Sequence, residues 1–176
     1  MLEINLPLHD KDVEGLNCGD NLLITGNIYT ARDAVHKKLA DLIEAGEDLP
    51  FDLKGKIIYY TGPTPTRPNA VIGSCGPTTS SRMDVYTPAL LERGLKGMIG
   101  KGNRDREVTE AIKRNRAIYF VATGGAGALL ARSVKKAVPV AFPELGAEAV
   151  VKLEVERFPV IVAIDSRGNN IYNVTI

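Results

Sequence analysis

Residues 105–122 read DREVTEAIKRNRAIYFVA, a stretch that predicts the fold class. Its first part, Asp105 to Asn115, is amphipathic and predicts a helix, whereas Ala117 to Ala122 has the apolar, β-rich composition of a buried strand. Just before the helix, GMIGKG (97–102) predicts another brief buried strand that runs into a glycine-bounded loop. A helix between two buried strands is typical of an α/β domain.

The same alternation of strands and helices extends from residue 20 to about residue 142. Further strands are predicted at LLITG (22–26), KIIYY (56–60), NAVIG (69–73) and VPVAF (138–142). Further helices are predicted from Ala31 to about Ala45 with Thr30 as N-cap, from Thr87-Pro88 to about Gly94, and over ALLARSV (128–134) after the tight loop TGGAG. The prolines and glycine of TGPTPTRPN (61–69) exclude regular structure there.

The C-terminal sequence changes character and predicts antiparallel strands. VVKLEVE (150–156) and VIVAID (160–165) are followed by a turn at SRGN and then by IYNVTI (171–176). The whole pattern predicts a layered α/β fold with a mixed sheet and antiparallel strands at the C-terminus. With 176 residues, 44% of them hydrophobic, and no linker or repeat, the chain is expected to form a single domain over 1–176.

Composition excludes several classes of partner. The net charge is +1, so neither nucleic acid nor an anionic membrane surface is expected to bind. No apolar run approaches the roughly 20 residues needed to span a bilayer, and MLEINLPLHD lacks the features of a secretory signal, so a cytoplasmic location is expected. The two cysteines and two histidines lie in no CxxC or HxxxH pattern, and a closed zinc site or a complete iron–sulfur site needs three or four soft ligands, so metal chemistry is expected to need a second chain.

The segment GPTTSSRMD (76–84) carries the densest set of polar side chains. Thr78 and Arg82 are four residues apart and would share a face on a helical turn. An arginine fork suits a carboxylate, and threonine hydroxyls with the N–H groups of a helix start suit the same ligand. The alternative is an N-cap cluster with Arg82 on the surface.

Two further cations lie at element junctions. Arg32 is in the first turn of its predicted helix, where the macrodipole favours an anion, and Lys101 stands between two glycines at the end of a strand. With Arg82 they would suit a small polycarboxylate. The alternatives are that Arg32 pairs with Asp33 or is solvated, and that Lys101 is an ordinary turn lysine.

The glycine-rich TGGAGALLAR (123–132) could bind a phosphate at the start of a helix. It lacks the Lys-Ser/Thr ending of a P-loop, and no acidic residue stands where dinucleotide binding requires one. The alternative is close packing of the loop on the helix.

The run GPTPTRPNAVIGSCGPTTSSRMDVYTPALLERGLKGMIGKG (62–102) resembles the β subunit, or C-terminal domain, of the iron–sulfur-dependent class I fumarate hydratases. It is similar also to L(+)-tartrate dehydratase β subunits. The likeness continues through TARDAVHKKL, TGGAGALLA and AFPELGAEAVVKLEVERFPVIVAIDSRGN, and covers about residues 10–172.

This resemblance implies a swivelling β/β/α domain and the reversible hydration of fumarate to malate, or a related dehydration. It implies a 4Fe–4S cluster ligated by the partner α subunit rather than this chain, with its open iron acting as a Lewis acid. Thr78 matches the family's proposed catalytic base, and Arg32, Arg82 and Lys101 match its substrate-binding cations. The residues expected to shape the motif are Gly76, Pro77 and Thr79.

Two points remain open after the resemblance. Cys75 departs from the pattern, which has a small residue such as alanine there, and it could be mistaken for a cluster ligand. Free buried cysteine is common, which is the alternative for Cys75 and Cys18. A homodimer of the isolated chain is expected to be possible, because an apolar face meant for the α subunit would be exposed. The functional alternative from another class is a non-enzymatic dicarboxylate-binding module that acts alone.

Overall fold

A computed structural model describes residues 1–173, which form a seven-stranded sheet with helices packed against it. The strands are β1 (Leu2–Asn5), β2 (Asn21–Thr30), β3 (Ile57–Tyr59), β4 (Gly97–Gly100), β5 (Ile118–Val121), β6 (Val134–Ala141) and β7 (Val150–Ile164). The α-helices are α1 (Asp10–Gly15), α2 (Asp33–Glu44), α3 (Thr87–Glu92), α4 (Arg106–Asn115) and α5 (Gly127–Ala131). Short 3₁₀ helices span Ser80–Met83, Pro143–Glu148 and Ile171–Asn173.

The sheet is mixed, as predicted. Strands β1 to β5 pair in parallel, each with the next along the chain. The long β7 runs antiparallel to β2, β5 and β6. Because β7 pairs with both β2 and β5, the strands β2, β3, β4, β5 and β7 close into a ring of hydrogen-bonded neighbours. The carboxyl ends of the parallel strands therefore lie together at one edge of this ring.

Alternation along the strands divides the core in two. On β5, Ile118 and Phe120 belong to one hydrophobic cluster, whereas Tyr119 between them belongs to the other. The first cluster is built mainly from inward-facing strand residues. The second includes the buried faces of α2, α3 and α4, such as Leu39 and Val108. The period of two thus separates the interior of the ring from the layer of helices outside it.

Most of the predicted elements are confirmed. The strands predicted at 22–26, 56–60, 97–102, 117–122 and 138–142 are present as β2 to β6. The predicted helices are present as α2 to α5, although α5 is shorter than expected because β6 already begins at Val134. The cap of α3 is Tyr86 rather than Thr87. No helix within residues 1–173 has the length and apolar character needed to cross a membrane.

The predicted strand NAVIG (69–73) is wrong. This segment is an irregular loop in which Asn69 adopts a left-handed conformation with φ 62°. The Thr64 N–H donates to Ser74 O at 2.9 Å, so the loop folds back on itself instead of pairing with the sheet. Its apolar residues have different environments, since Ile72 is buried and Val71 is exposed.

The predicted break between VVKLEVE and VIVAID is also wrong, because both belong to the single strand β7. Arg157 has a left-handed φ of 52°, yet pairing with β2 continues on both sides of it. In the predicted strand 171–176, residues 171–173 form a 3₁₀ helix, and 174–176 lie outside the described residues.

Thr30 does not cap α2, contrary to the sequence prediction. It is the last residue of β2, and its hydroxyl donates to Ala149 O at 3.1 Å and accepts from the Val151 N–H at 3.0 Å. The N-cap is Arg32, which makes no side-chain cap hydrogen bond. Thr30 therefore joins β2 to the start of β7, and the helix begins two residues later than a Thr30 cap would place it.

Candidate functional site

The predicted site residues come together at the edge where the parallel strands end. Arg32 follows β2, Thr78 lies at the end of the long loop after β3, and Lys101 directly follows β4. The loop 123–127 follows β5 and reaches Lys101, because a Cβ on Gly124 would lie 3.6 Å from Lys101 Cδ. Such an edge is where open α/β sheets usually bind ligands.

The backbone of the GPTT loop is fixed against β3. The Thr78 N–H donates to Tyr60 O at 2.6 Å, and Thr61 Oγ1 donates to Gly76 O at 2.8 Å. Pro77 is buried and Thr78 is half-buried. Within the described residues the Thr78 hydroxyl has no hydrogen-bond partner. This hydroxyl is therefore free for a ligand while its backbone is held.

Ser80 ties the same loop to the end of β4. Its N–H donates to Lys101 O at 3.0 Å, and its hydroxyl oxygen accepts from the Lys101 N–H at 3.1 Å. The Tyr119 hydroxyl lies 2.8 Å from Ser80 Oγ and donates to Gly102 O at 2.7 Å. A Cβ on Gly100 would lie only 1.9 Å from Ser80 Oγ, so this close approach requires glycine. Thr79 pairs with Lys101 in an isolated parallel bridge.

Arg82 lies in the 3₁₀ helix Ser80–Met83 and binds an acidic residue of α2. Its Nε donates to Asp33 Oδ1 at 3.0 Å and its Nη2 to Asp33 Oδ2 at 2.7 Å. The sequence had offered Asp33 as a partner for Arg32, and that pairing is not formed. Thr78 precedes the 3₁₀ helix, so it does not share a helical turn with Arg82. Thr79 is the N-cap without a side-chain cap bond, which argues against a simple capping cluster.

Arg32 packs beside the start of the loop after β3. A Cβ on Gly62 would lie 2.7 Å from Arg32 Nη1, so glycine leaves room for the guanidinium. Glu148 Oε1 is 3.7 Å from Arg32 Nε, which is too long for a hydrogen bond, and Nε is buried without a partner among the described residues. A carboxylate that lay closer to Arg32 Nε than that of Glu148 could accept the hydrogen bond that this nitrogen lacks.

A buried ion pair behind the edge was not found by sequence reasoning. Arg104 donates from Nε to Asp84 Oδ1 at 2.5 Å and from Nη2 to Thr87 Oγ1 at 2.8 Å. Its guanidinium lies 5.3 Å from the Tyr60 ring centre and 4.8 Å from that of Tyr119. Asp84 directly follows the 3₁₀ helix Ser80–Met83, so its pair with Arg104 holds the helix that carries Arg82 in place. Arg104 stands in the polar run KGNRDRE (101–107), 20 residues after Asp84, so nothing in the local sequence indicates this buried pair.

The two cysteines do not fit an iron–sulfur cluster. Cys75 is fully buried in the core, its Sγ lies 4.0 Å from Gly127 O, and burial raises the pKa of its thiol to about 11. Burial, with the nearby Asp165, also raises the pKa of the Cys18 thiol. Within residues 1–173 there is no group of three or more histidine, cysteine, aspartate or glutamate residues that could hold a metal ion.

The glycine-rich loop packs against the GPTT loop. The Cys75 N–H donates to Gly127 O at 3.2 Å, and a Cβ on Gly127 would lie 2.7 Å from Gly76 N. The helix that follows, α5, has only five residues. These contacts correspond to the packing alternative stated above for TGGAGALLAR.

Comparison with known proteins gives a consistent result. The family model described as "Fumarase C-terminus" matches residues 1–175. The chain is 44% identical over 171 residues to the "Putative L(+)-tartrate dehydratase subunit beta" of Methanocaldococcus jannaschii, covering 94% of this chain and 88% of that protein.

Two fumarate hydratases are similar over a smaller share of their own length. "Fumarate hydratase 2" of Leishmania major is 41% identical over 160 residues, which is 90% of this chain and 28% of that protein. "Fumarate hydratase class I, anaerobic" of Escherichia coli is 44% identical over 153 residues, which is 86% of this chain and 28% of that protein. This chain thus spans little more than a quarter of these two enzymes.

Proposed function

This chain belongs to the fumarase C-terminus family, and we propose that it is the β subunit of a two-chain iron–sulfur hydro-lyase that reversibly hydrates fumarate to malate. The observation that carries the proposal is the convergence of Thr78 with three cationic side chains at one sheet edge. The same family supports a swivelling β/β/α domain formed by the whole chain, 1–176.

The cations supply what a dicarboxylate requires. Dehydration of malate removes a proton from the carbon beside one carboxylate, and the hydroxyl group leaves from the next carbon as hydroxide. Negative charge accumulates on the carboxylate beside the deprotonated carbon once the proton has left, and it is relieved when the C=C bond forms and hydroxide departs. Arg82, Arg32 and Lys101 would bind the two carboxylates and stabilise this charge in a site from which water is excluded.

Thr78 would take the proton in dehydration and return it in hydration. Its hydroxyl has no protein partner within the described residues. The Thr78 N–H donates to Tyr60 O at 2.6 Å, so the backbone that carries the hydroxyl is held in place. Threonine is a weak base unless a neighbour activates it. The cations at this edge would favour the deprotonated oxygen.

The iron–sulfur cluster belongs, in this proposal, to an α partner. Two cysteines with raised thiol pKa values, one of them fully buried, are unsuited to ligate it. The β subunit named among the relatives, 88% of which this chain covers, supports a two-chain enzyme.

The experiment is anaerobic co-purification with the α partner, followed by assay on a panel of C4 hydroxy-acids and fumarate. We expect reversible loss of fumarate absorbance with the complex and none with this chain alone. Thr78→Ala should reduce kcat about 100-fold or more, as expected for loss of a general base. Thr109→Ala, at a half-buried threonine on α4 whose hydroxyl donates to Asp105 O at 3.0 Å, is the matched control and should leave kcat unchanged. An unaffected Thr78→Ala would remove Thr78 from the mechanism.

A second candidate is L(+)-tartrate dehydratase. It is favoured by the 88% coverage of the tartrate dehydratase β subunit, against 28% for the fumarate hydratases. The same panel separates the two, because turnover of L(+)-tartrate without fumarate would select it. Dicarboxylate binding without turnover by the complex would instead favour a non-enzymatic binding module.

A further inference from the structure

The guanidinium of Arg82 is held by only one of its edges. Nε and Nη2 form a bidentate pair with the two carboxylate oxygens of Asp33, at 3.0 and 2.7 Å. Among residues 1–173, Nη1 donates to no protein acceptor, and the Arg82 side chain is 51% exposed. Because guanidinium carries five N–H donors in a planar fork, the edge formed by Nη1 and Nη2 is left for a second carboxylate.

Asp33 is itself in a fixed place. It is the first residue of α2, where the positive end of the helix dipole favours a carboxylate. The preceding residue, Arg32, is held through its carbonyl, which accepts from the His36 N–H at 2.9 Å and lies 2.8 Å from His36 Nδ1. Asp33 therefore connects the helix that begins beside Arg32 to the 3₁₀ helix that carries Arg82.

We propose that Asp33 is a positioning residue, which holds the Nε–Nη2 edge of Arg82 and presents its Nη1–Nη2 edge to a substrate carboxylate. This inference rests on the proposed function, since it names how one of the binding cations is oriented. Asp33 does not touch the substrate. Its effect is to fix both the direction of the Arg82 fork and its distance from Arg32.

The arrangement has a kinetic consequence. A long arginine side chain that is half exposed loses rotational freedom when it binds a ligand, unless it is already ordered. Removing the Asp33 charge releases Arg82, so part of the binding energy is spent on ordering it. This ordering cost arises once, when the substrate binds, and it is the same in the ground state and the transition state, so the effect falls on KM more than on kcat.

The test uses the reconstituted two-chain enzyme with Asp33→Asn, Asp33→Glu and a matched control. Asp33→Asn should raise KM about tenfold while kcat changes by less than about twofold, as expected for loss of uniform binding. Asp33→Glu keeps the carboxylate and should recover part of the loss. In an Arg82→Gln background, Asp33→Asn should have no further effect on KM, because the two residues act as one unit.

Asp41→Asn is the control, because Asp41 lies on the same helix and pairs with Lys37 at 2.8 Å on the exposed surface. It should leave KM and kcat unchanged. The thermal midpoint of Asp33→Asn should fall by no more than about 3 °C, since an exposed pair contributes little to stability. A merely structural role would lower the midpoint without changing KM.

An unchanged KM in Asp33→Asn would overturn the inference while leaving the proposed function intact. A lower KM would also overturn it, because Asp33 would then compete with the substrate for Arg82. A wild-type complex that is inactive on every C4 acid would overturn the proposed function, and the inference with it.

Discussion

His36 is a fully buried imidazole beneath the candidate site. Its Nδ1 lies 2.8 Å from Arg32 O, and since a carbonyl can only accept, Nδ1 carries the hydrogen. Its ring meets that of Tyr60 edge-on, with centroids 5.1 Å apart. Burial lowers the pKa of His36 to about 4, so the imidazole is neutral at pH 7. The start of α2 is thus held by a neutral donor rather than by a charge.

This neutral histidine predicts a pH dependence of stability. The unfolded chain has a histidine pKa of about 6.5, so between pH 6.5 and 4 it binds a proton that the folded chain does not. The free energy of unfolding should therefore fall as pH is lowered through this range, by about 3 kcal/mol from His36 alone at pH 4. Urea unfolding of wild type and His36→Gln from pH 7.5 to 4 tests this.

The stability difference between wild type and His36→Gln should shrink as pH is lowered. His9→Gln is the matched control, because it removes an exposed histidine and should keep the wild-type pH dependence. Parallel curves for wild type and His36→Gln would contradict the prediction.

The positions of the four candidate residues could be predicted from the sequence, but their partners could not. Lys101 comes directly after β4 and Arg32 comes two residues after the end of β2, and because these strands run parallel, both cations lie at one edge. The Asp33 partner of Arg82 is 49 residues away along the chain, whereas the sequence offered Asp33 as an alternative partner of its neighbour Arg32. The packing of the 3₁₀ helix on α2 decides which of the two arginines pairs with Asp33.

At the scale of elements, the Asp84–Arg104 pair joins the 3₁₀ helix to the loop that precedes α4. The Arg104 side chain is fully buried, and Asp84 Oδ2 also accepts from the Asp105 N–H at 2.9 Å. Arg104→Met would leave Asp84 buried without its counter-charge. We expect this variant to lose about 3–5 kcal/mol of unfolding free energy, the usual cost of breaking a buried pair.

The control is Lys113→Met, which removes an exposed pair with Glu110 at 3.2 Å on α4. It should cost less than about 1 kcal/mol. Both are measured by urea unfolding at pH 7. A loss in Arg104→Met no larger than in the control would mean that Asp84 is adequately solvated once its partner is gone.

The wrong element predictions have identifiable physical causes. NAVIG has the composition of a strand, but Asn69 takes a left-handed conformation and Gly73 lies so close to Thr64 that a Cβ would sit 1.9 Å from its carbonyl oxygen. The amino-acid composition of NAVIG gives no sign of this close contact between Gly73 and Thr64. The continuity of β7 through Arg157 depends on its pairing with β2, which sequence periodicity also cannot detect.

At the scale of the whole molecule, the edge of the ring where the parallel strands end carries the candidate site and exposed apolar side chains. Exposed apolar side chains lie near the cations in the chain: Val85, 79% exposed, follows Arg82 by three residues, and Leu129, 60% exposed, follows the loop that reaches Lys101. Under the proposed function, an α partner that carries the cluster would approach this edge to bring the cluster to the substrate. These two side chains are therefore suited to be covered by it.

This arrangement predicts that Val85→Asp and Leu129→Asp weaken association with the α partner, because each would bury an unpaired charge in the interface. Leu2→Asp is the control, since Leu2 is 52% exposed on β1 and away from the strand ends that carry the cations. Co-purification and light scattering should show loss of the complex in the first two variants alone. Retention of the complex in both would place the interface elsewhere.

The same surface also bears on the isolated chain. If the isolated chain forms a homodimer through this surface, Val85→Asp should convert the dimer to a monomer, because the new carboxylate would be buried in the interface without a counter-charge.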